Sequence, residues 1–336
     1  MTSSISIEKV FALPNTLFLD TRTPAEFNED HIPHAVNLPV LSNEERSMVG
    51  IIYKHTSKDE AIDKGMELFK AKIPGFMHEV AKFKNKTIIV NCWRGGMRSK
   101  VIVDLLNSLG YTAYQLQGGY KEYRAYVREQ LENFQLKPTI VVLWGLTCTG
   151  KTALLSHFSN SLDLEGLAQH RGSLYGSIGL QPRSQKAFEN MLWWKLQELN
   201  GQKYIIMEGE GRKIGDVQMP IFLYKKMLHG IPILVTRSME KRAEHALQEY
   251  FDTSESLQQI KEVTAHLFKV ISKKKQQEAL KLLEEGRNKE AVKILLESYY
   301  DPLYEHTIKR KKYVFEVNSD DVEKAVKELR EFMVSF

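Results

Sequence analysis

Short apolar runs alternate with longer amphipathic stretches along most of the chain. Runs of five or six residues, each closed by a polar residue or a glycine, predict buried strands at 16–20, 87–91, 113–117, 139–144, 204–208, 232–236 and 313–317. Apolar residues repeat every three to four positions between them, which predicts helices near 44–53, 60–71, 99–109, 120–134, 187–199 and 320–333. Strands that alternate with helices indicate α/β folding with mostly parallel sheets.

A break at Lys137-Pro138 precedes the strand 139–144 and predicts a boundary between two domains, 1–136 and 137–336. Both domains show the strand–helix alternation, and a lysine-rich helical segment interrupts it in the second domain at about 240–300. Ser319 or Asp320 is the predicted N-cap of the last helix.

The composition narrows the class of protein without defining it. The 336 residues are 43% hydrophobic and 26% charged, which excludes a disordered chain. Lys and Arg number 47 against 42 Asp and Glu, and the resulting charge of +5 permits a nucleic-acid partner without requiring one. Two cysteines cannot form a disulfide framework, and neither a leader peptide nor a run of ~20 apolar residues is evident. We therefore expect a cytoplasmic protein that does not enter a membrane.

The segment 91–99, NCWRGGMRS, follows a predicted strand and opens a predicted helix. At such a turn the backbone N–H groups and the helix dipole favour an anion, and Arg94 and Arg98 add positive charge. Gly95 and Gly96 let the loop close tightly around an oxyanion. Cys92 is therefore the predicted catalytic nucleophile, favoured as a thiolate.

The loop and its surroundings resemble the rhodanese family of sulfur-transfer domains. The matching motifs are DTRTPAEF at 20–27, HIPHAVN at 31–37 and the glycine pair at 118–119. The resemblance implies that Cys92 carries the transferred chalcogen. The spacing Cys92-x₅-Arg98 is one residue longer than is common in sulfurtransferases and equals that of cysteine-dependent phosphatases, although Asn91 replaces the phosphatase histidine. We therefore expect a phosphate-bearing chalcogen donor at this loop.

The segment 145–152, GLTCTGKT, fits the phosphate-binding pattern G-x₄-G-K-[ST] between a predicted strand and a predicted helix. Backbone N–H groups from Gly145, Thr147 and Gly150 would surround a diphosphate, and Lys151 would reach its outer phosphate. Thr152 could hold Mg²⁺. Cys148 is expected to be a small filler of the loop.

Further polar residues are expected to support this phosphate site. Glu208 ends an apolar strand as a Walker B carboxylate does, so Thr152 and Glu208 together form a hypothetical Mg²⁺ site. Arg212 lies in the charged turn that follows Glu208. His170 and Arg171 lie in a glycine-rich segment suited to the remainder of a phosphorylated ligand.

The two constellations together resemble the bacterial tRNA 2-selenouridine synthases over nearly the whole length. The resemblance rests on segments 92–99, 170–173, 185–189 and 208–215, and Cys148 departs from an expected glycine. It implies a rhodanese-like parallel-sheet domain followed by a P-loop NTPase-like α/β domain with a helical extension. It also implies a tRNA substrate with 2-thiouridine in its anticodon loop, and geranyl diphosphate and selenophosphate as co-substrates. No tightly bound cofactor is expected.

Three alternatives remain open at this stage. A P-loop kinase or ATPase fused to a rhodanese sulfurtransferase domain would hydrolyse ATP without RNA. A non-catalytic chalcogen-binding module would leave Cys92 and Lys151 unexplained. A plain sulfurtransferase would leave the P-loop unexplained.

Overall fold

Five parallel strands form the first sheet of the computed structural model, which describes residues 3–267 and 270–334. The strands are β1 (Ser4–Ile5), β2 (Thr16–Asp20), β3 (Val36–Asn37), β4 (Thr87–Asn91) and β5 (Thr112–Leu116). Their spatial order is β1-β5-β4-β2-β3. The central strand β4 is apolar on both faces, with Ile88, Ile89 and Val90 fully buried, as a parallel strand covered by helices requires.

Seven helices accompany this sheet in the described residues: α1 (Ile7–Val10), α2 (Pro24–Glu29), α3 (Asn43–His55), α4 (Lys58–Lys70), α5 (Ile73–Ala81), α6 (Met97–Ser108) and α7 (Gly119–Glu132). Helices α2 and α3 begin with capping boxes, in which Thr23 pairs with Glu26 and Ser42 with Glu45. Apolar side chains of α4, α5 and α6 pack with those of β2 and β4 in one core cluster.

A second sheet of five parallel strands contains β6 (Thr139–Trp144), β7 (Ser161–Leu162), β8 (Tyr204–Glu208), β11 (Ile231–Thr236) and β12 (Phe315–Asn318). Its spatial order is β12-β11-β6-β8-β7. A short antiparallel pair, β9 (Lys213–Ile214) and β10 (Val217–Gln218), follows β8. Strands β6 and β8 are neighbours, so their carboxyl ends place Gly145 and Glu208 at the same edge of the sheet.

The helices of the second half are α8 (Lys151–Leu155), α9 (Leu164–Ala168), α10 (Gln185–Leu199), α11 (Ile221–Leu228), α12 (Met239–Tyr250), α13 (Ser254–Ala265), α14 (Lys273–Glu284), α15 (Asn288–Leu295), α16 (Asp301–Lys309) and α17 (Val322–Met333). A π-helical turn, Leu296–Tyr300, joins α15 to α16. Residues of α12–α15 and this turn form an apolar core of their own with Tyr175 and Ile178.

The chain divides into two compact units. The first comprises Met1–Asn133 and Glu189–Trp194, and the second comprises Phe134–Phe188 and Lys195–Phe336. No helix of the described ranges combines the length and the apolar character needed to cross a membrane.

The α/β architecture with parallel sheets is confirmed, and the predicted strands lie within two residues of β2, β4, β5, β6, β8, β11 and β12. Strands β1, β3, β7, β9 and β10 were not predicted, because two residues carry no periodicity.

The predicted cap of the last helix was wrong. Asp321 is the N-cap and accepts a hydrogen bond from the Lys324 N–H at 3.0 Å. Ser319 is occupied elsewhere, because its hydroxyl donates to the Thr149 carbonyl at 2.6 Å. Asp320 accepts from the Ser238 N–H at 2.8 Å.

Candidate functional site

Cys92 lies directly after β4, at the start of the loop that leads into α6. Its side chain is only 3% exposed, yet the groups at its sulfur are polar. The Gly96 N–H donates to Sγ at 3.2 Å, and the Ser99 hydroxyl lies 3.2 Å from the same atom. Gln115 donates to the Ser99 Oγ at 2.9 Å and thereby fixes that hydroxyl. The loop thus directs the Gly96 N–H at the sulfur, which suits a nucleophilic cysteine.

The glycine pair at the start of α7 closes the loop from the other side. The N–H groups of Tyr120 and Lys121 donate to the carbonyls of Cys92 and Trp93 at 2.8 and 3.0 Å. Gly119 has φ +60°, and a Cβ there would lie 2.4 Å from both the Cys92 carbonyl oxygen and the Gly95 nitrogen. Only glycine therefore allows the two backbone segments to approach this closely.

The two arginines of the loop have different surroundings. Arg94 is exposed, whereas Arg98 donates to Glu26 of α2 at 2.8 Å. Burial alone would raise the pKa of Glu26, but the hydrogen bond and the charge of Arg98 lower it below its usual value. Glu26 was missed by the sequence reasoning as a partner of this site, although it lies within the DTRTPAEF motif.

The phosphate-binding loop lies between β6 and α8. Its left-handed positions are Cys148 (φ +61°) and Gly150 (φ +77°). Lys151 folds back over the loop, and its Nζ donates to the carbonyls of Gly145 and Leu146 at 3.1 and 3.3 Å. Burial raises the pKa of the Cys148 thiol to about 12, so this cysteine is a neutral thiol at physiological pH.

A group of carboxylates faces this loop, and Glu208 among them is fully buried. The Thr152 hydroxyl donates to Glu208 at 3.2 Å, and Glu208 also accepts the backbone N–H of Glu165 at 2.9 Å. Burial, and then the neighbouring carboxylates, raise the pKa values of Glu208 and Glu165 well above the usual value. Burial also raises the pKa of Glu210 to about 7. Crowded carboxylates of this kind gain from a nearby cation.

The described residues include no group of three or more His, Cys, Asp or Glu side chains arranged to hold a metal ion. Mg²⁺, however, commonly takes one or two protein oxygens and completes its shell with phosphate oxygens and water. The Thr152 hydroxyl and the Glu208 carboxylate are such hard oxygen donors, and their spacing of 3.2 Å fits that arrangement.

A cleft of about 530 Å³ opens over the loop. The predicted residues Gly145, Thr147, Gly150, Lys151, Thr152 and Arg171 line it, and Glu165, Glu210, His245, Glu249, Tyr250 and Tyr304 also contribute to it. Glu165, His245, Glu249 and Tyr250 were missed, because their distance in the sequence from the glycine–lysine motif gave no signal.

The other predicted supporting residues play different parts. Arg171 donates to the carbonyls of Ile178 and Glu249 at 2.9 and 3.1 Å, so its guanidinium also anchors the cleft wall. His170 accepts the Gly172 N–H at 3.0 Å and lines a separate cavity rather than the cleft. Arg212 is exposed and does not line the cleft.

Arg237 is a further cation that the sequence did not suggest. Its Nε and Nη1 atoms are buried and have no hydrogen-bond partner among the described residues. A Cβ on Gly150 of the phosphate-binding loop would lie 3.0 Å from Nη1. Among the described residues these two nitrogens have no acceptor, so an anion at the loop would stabilise them.

The two sheets and their loops define a class of protein in which a rhodanese-like unit precedes a P-loop unit. Residues 7–126 match the family model described as a rhodanese-like domain, and residues 138–284 match the tRNA 2-selenouridine synthase AAA domain. A Sulfurovum sp. (strain NBC37-1) protein named tRNA 2-selenouridine synthase is 33% identical, with 95% of this chain and 96% of the relative aligned. A relative of the same name from Hydrogenovibrio crunogenus is 32% identical, covering 92% and 94%. This chain belongs to the tRNA 2-selenouridine synthase family.

Among solved structures, the N-terminal domain of a Clostridium difficile 630 protein described as ATP/GTP binding is 46% identical to this chain. The match covers 98% of that domain and 37% of this chain, with a TM-score of 0.36 that is too low to carry a conclusion.

Proposed function

We propose that this protein is a tRNA 2-selenouridine synthase, which replaces the sulfur of wobble 2-thiouridine by selenium. In the first step geranyl diphosphate alkylates the sulfur, and in the second step selenophosphate delivers selenium to the same carbon. The names of the relatives support the overall reaction. The two-step route is what the family resemblance implies, and the chemistry of the two loops and the cavities beside the phosphate-binding loop are compatible with it.

One observation carries the assignment of the prenyl donor. The cleft over the phosphate-binding loop shares Thr147, Cys148 and Tyr250 with an adjoining apolar cavity of about 390 Å³. Side chains such as Phe251 and Leu295 line that cavity. An anion cradle beside an apolar chamber fits a ligand with a diphosphate head and a hydrocarbon tail. A nucleoside would instead need polar partners for its base and ribose.

In the first step the thiouridine sulfur forms a bond to C1 of the geranyl group, the C1–O bond breaks and diphosphate leaves. The uridine loses its N3 proton. Lys151 and the backbone N–H groups of the loop stabilise the negative charge that grows on the departing diphosphate. When bound, Mg²⁺ would be held by Thr152 and Glu208 and would neutralise part of that charge.

In the second step the selenium of selenophosphate forms a bond to C2 of the base, and the C2–S bond breaks to release geranyl thiol. Water then cleaves the Se–P bond, which yields phosphate and 2-selenouridine. Alkylation makes the sulfur a better leaving group, which explains why a prenyl donor precedes selenium. Cys92 acts in this step by assisting the displacement at C2.

Mass spectrometry of nucleosides from tRNA incubated with the protein tests the proposal, with the two co-substrates added separately and together. Geranyl diphosphate alone should yield S-geranyl-2-thiouridine, and both together should yield 2-selenouridine. Lys151→Ala should lose the first product, whereas Lys203→Ala, at an exposed lysine before β8, should retain it.

Cys92→Ser should accumulate the geranylated nucleoside without selenation. Loss of geranylation in a folded Cys92→Ser protein would contradict this division of labour. Rapid ATP hydrolysis without RNA would instead favour the fused kinase or ATPase.

A further inference from the structure

An apolar cavity of about 710 Å³ lies in the first unit, beside the Cys92 loop. Side chains of α3, α4 and α6 line it, among them Val49, Tyr53, Ile62, Met66 and Met97. The reaction steps described above leave this cavity without a role.

The cavity is open to solvent although its lining is apolar. Tyr53, Met66 and Met97 are 62%, 45% and 46% exposed. Large apolar side chains exposed together commonly mark a binding surface, and methionine side chains adapt easily to the shape of a ligand. The cavity is thus a candidate site rather than a gap in the core.

Gly65 keeps part of this space open. It lies inside α4 without a left-handed φ, and nothing lies within 4 Å of the position that a Cβ would take. Glycine inside a helix costs about 1 kcal/mol relative to alanine. Neither a turn nor a close backbone approach requires glycine here, so the observable consequence of Gly65 is a larger cavity.

The position of the cavity links it to the reacting cysteine. Met97 and Arg98, which line it, belong to the first turn of α6, and the preceding residue Gly96 donates its N–H to the Cys92 sulfur. Arg98 forms an ion pair with Glu26, which neutralises its charge. This wall of the cavity is therefore suited to an apolar group. A ligand that reacts at the Cys92 loop and carries a hydrocarbon chain could therefore extend the chain into this cavity.

We infer that this cavity receives the geranyl chain of the alkylated nucleoside during the selenium step. The inference rests on the proposed function, since it assumes that S-geranylated tRNA is the intermediate. Burial of the chain in the cavity would hold the C2–S bond at the Cys92 loop. The cavity would also accept the geranyl thiol as it leaves. The first unit would thus recognise the alkyl group as well as the selenium donor.

The test uses the full-length protein, selenophosphate and two prepared tRNA substrates, one S-geranylated and one S-methylated at the wobble 2-thiouridine. Gly65→Leu fills the cavity without meeting another atom at its Cβ and with a residue that favours helix. It should raise KM for the S-geranyl substrate at least about tenfold, which corresponds to about 1.4 kcal/mol. KM for the S-methyl substrate should stay unchanged, and Gly65→Ala should give a smaller effect.

Gly75→Leu is the matched control, because Gly75 also has no atom within 4 Å of a Cβ and lies on α5, outside the cavity. It should behave like the unaltered protein. Equal KM values for Gly65→Leu and the unaltered protein on the S-geranyl substrate would overturn the inference. An equal loss on both substrates would also overturn it, and would point to a structural role or to a protein partner at this surface.

Failure of the proposed function would give a different result. In that case the unaltered protein itself would not convert S-geranylated tRNA, and the inference would fall with it.

Discussion

Replacing Gly119 by alanine should destabilise the protein at the Cys92 loop. The loss in the free energy of unfolding should exceed the cost of a left-handed φ alone. Two effects add at this position. A left-handed conformation costs a non-glycine residue about 1 to 2 kcal/mol. The new methyl group would also lie 2.4 Å from two backbone atoms, the Cys92 oxygen and the Gly95 nitrogen, which cannot rotate away. Overpacking of this kind typically adds about 1 to 3 kcal/mol.

Gly110→Ala separates the two effects. Gly110 also has a left-handed φ, at +81°, but nothing lies within 4 Å of its Cβ position. It should therefore show only the conformational cost, and the reduced entropy of the unfolded chain affects both variants alike. The free energy of unfolding, measured in urea, should fall by about 1 to 2 kcal/mol in Gly110→Ala and by about 2 to 5 kcal/mol in Gly119→Ala.

Activity gives an independent measure of the same perturbation. Gly119→Ala should slow the selenation of S-geranylated tRNA, since the backbone around Cys92 must move, while geranylation by the second unit continues. Gly110→Ala should leave both steps unchanged. If Gly119→Ala matched Gly110→Ala in stability and in selenation, the close packing of the glycine pair against the loop would have no functional consequence.

Two further changes test the electrostatics of the sites. Glu26 has a lowered pKa in the folded protein, so its ionised form contributes stability that is present above about pH 4.5 and is lost as the pH falls through the lowered value. The stability difference between the unaltered protein and Glu26→Gln, measured in urea, should therefore shrink from pH 7 to pH 3, and a constant difference would refute the ion pair with Arg98. Cys148, with its pKa raised to about 12, should resist alkylation by iodoacetamide at pH 8 in the folded Cys92→Ser protein. Cys148→Ala should also retain both reaction steps, and loss of either step would assign the thiol a role that its burial does not suggest.

The local patterns of the sequence were sufficient for most of the fold. Strands β2, β4, β6 and β8 were predicted at their observed bounds, because each is a short apolar run with a clear polar or glycine stop. The phosphate-binding loop was predicted because its chemistry resides in consecutive residues. The last helix shows the limit of such reasoning, since Ser319 and Asp320 are good caps by type but both bond to distant segments.

The residues that surround each site depended on contacts between residues far apart in the sequence. Glu26 approaches Arg98 across 72 positions, and the Glu165 N–H donates to Glu208 across 43. The spacing of apolar and polar residues along the chain does not reveal such pairs. Arg237 lacked a signal for the same reason, because only packing places its guanidinium beside Gly150 and leaves two of its nitrogens unpaired among the described residues.

The sequence alone predicted Cys92 as the nucleophile and Lys151 as the phosphate-binding lysine, and it determined the parallel α/β architecture, since each depends on neighbouring residues. Only the tertiary structure decided what surrounds them. The apolar cavities beside the two loops are lined by side chains from several elements, and the shared walls at Thr147, Cys148 and Tyr250 exist only after folding. The physical reason is that strand patterns, turns and loop motifs depend on neighbouring residues, whereas cavities arise from the packing of whole elements.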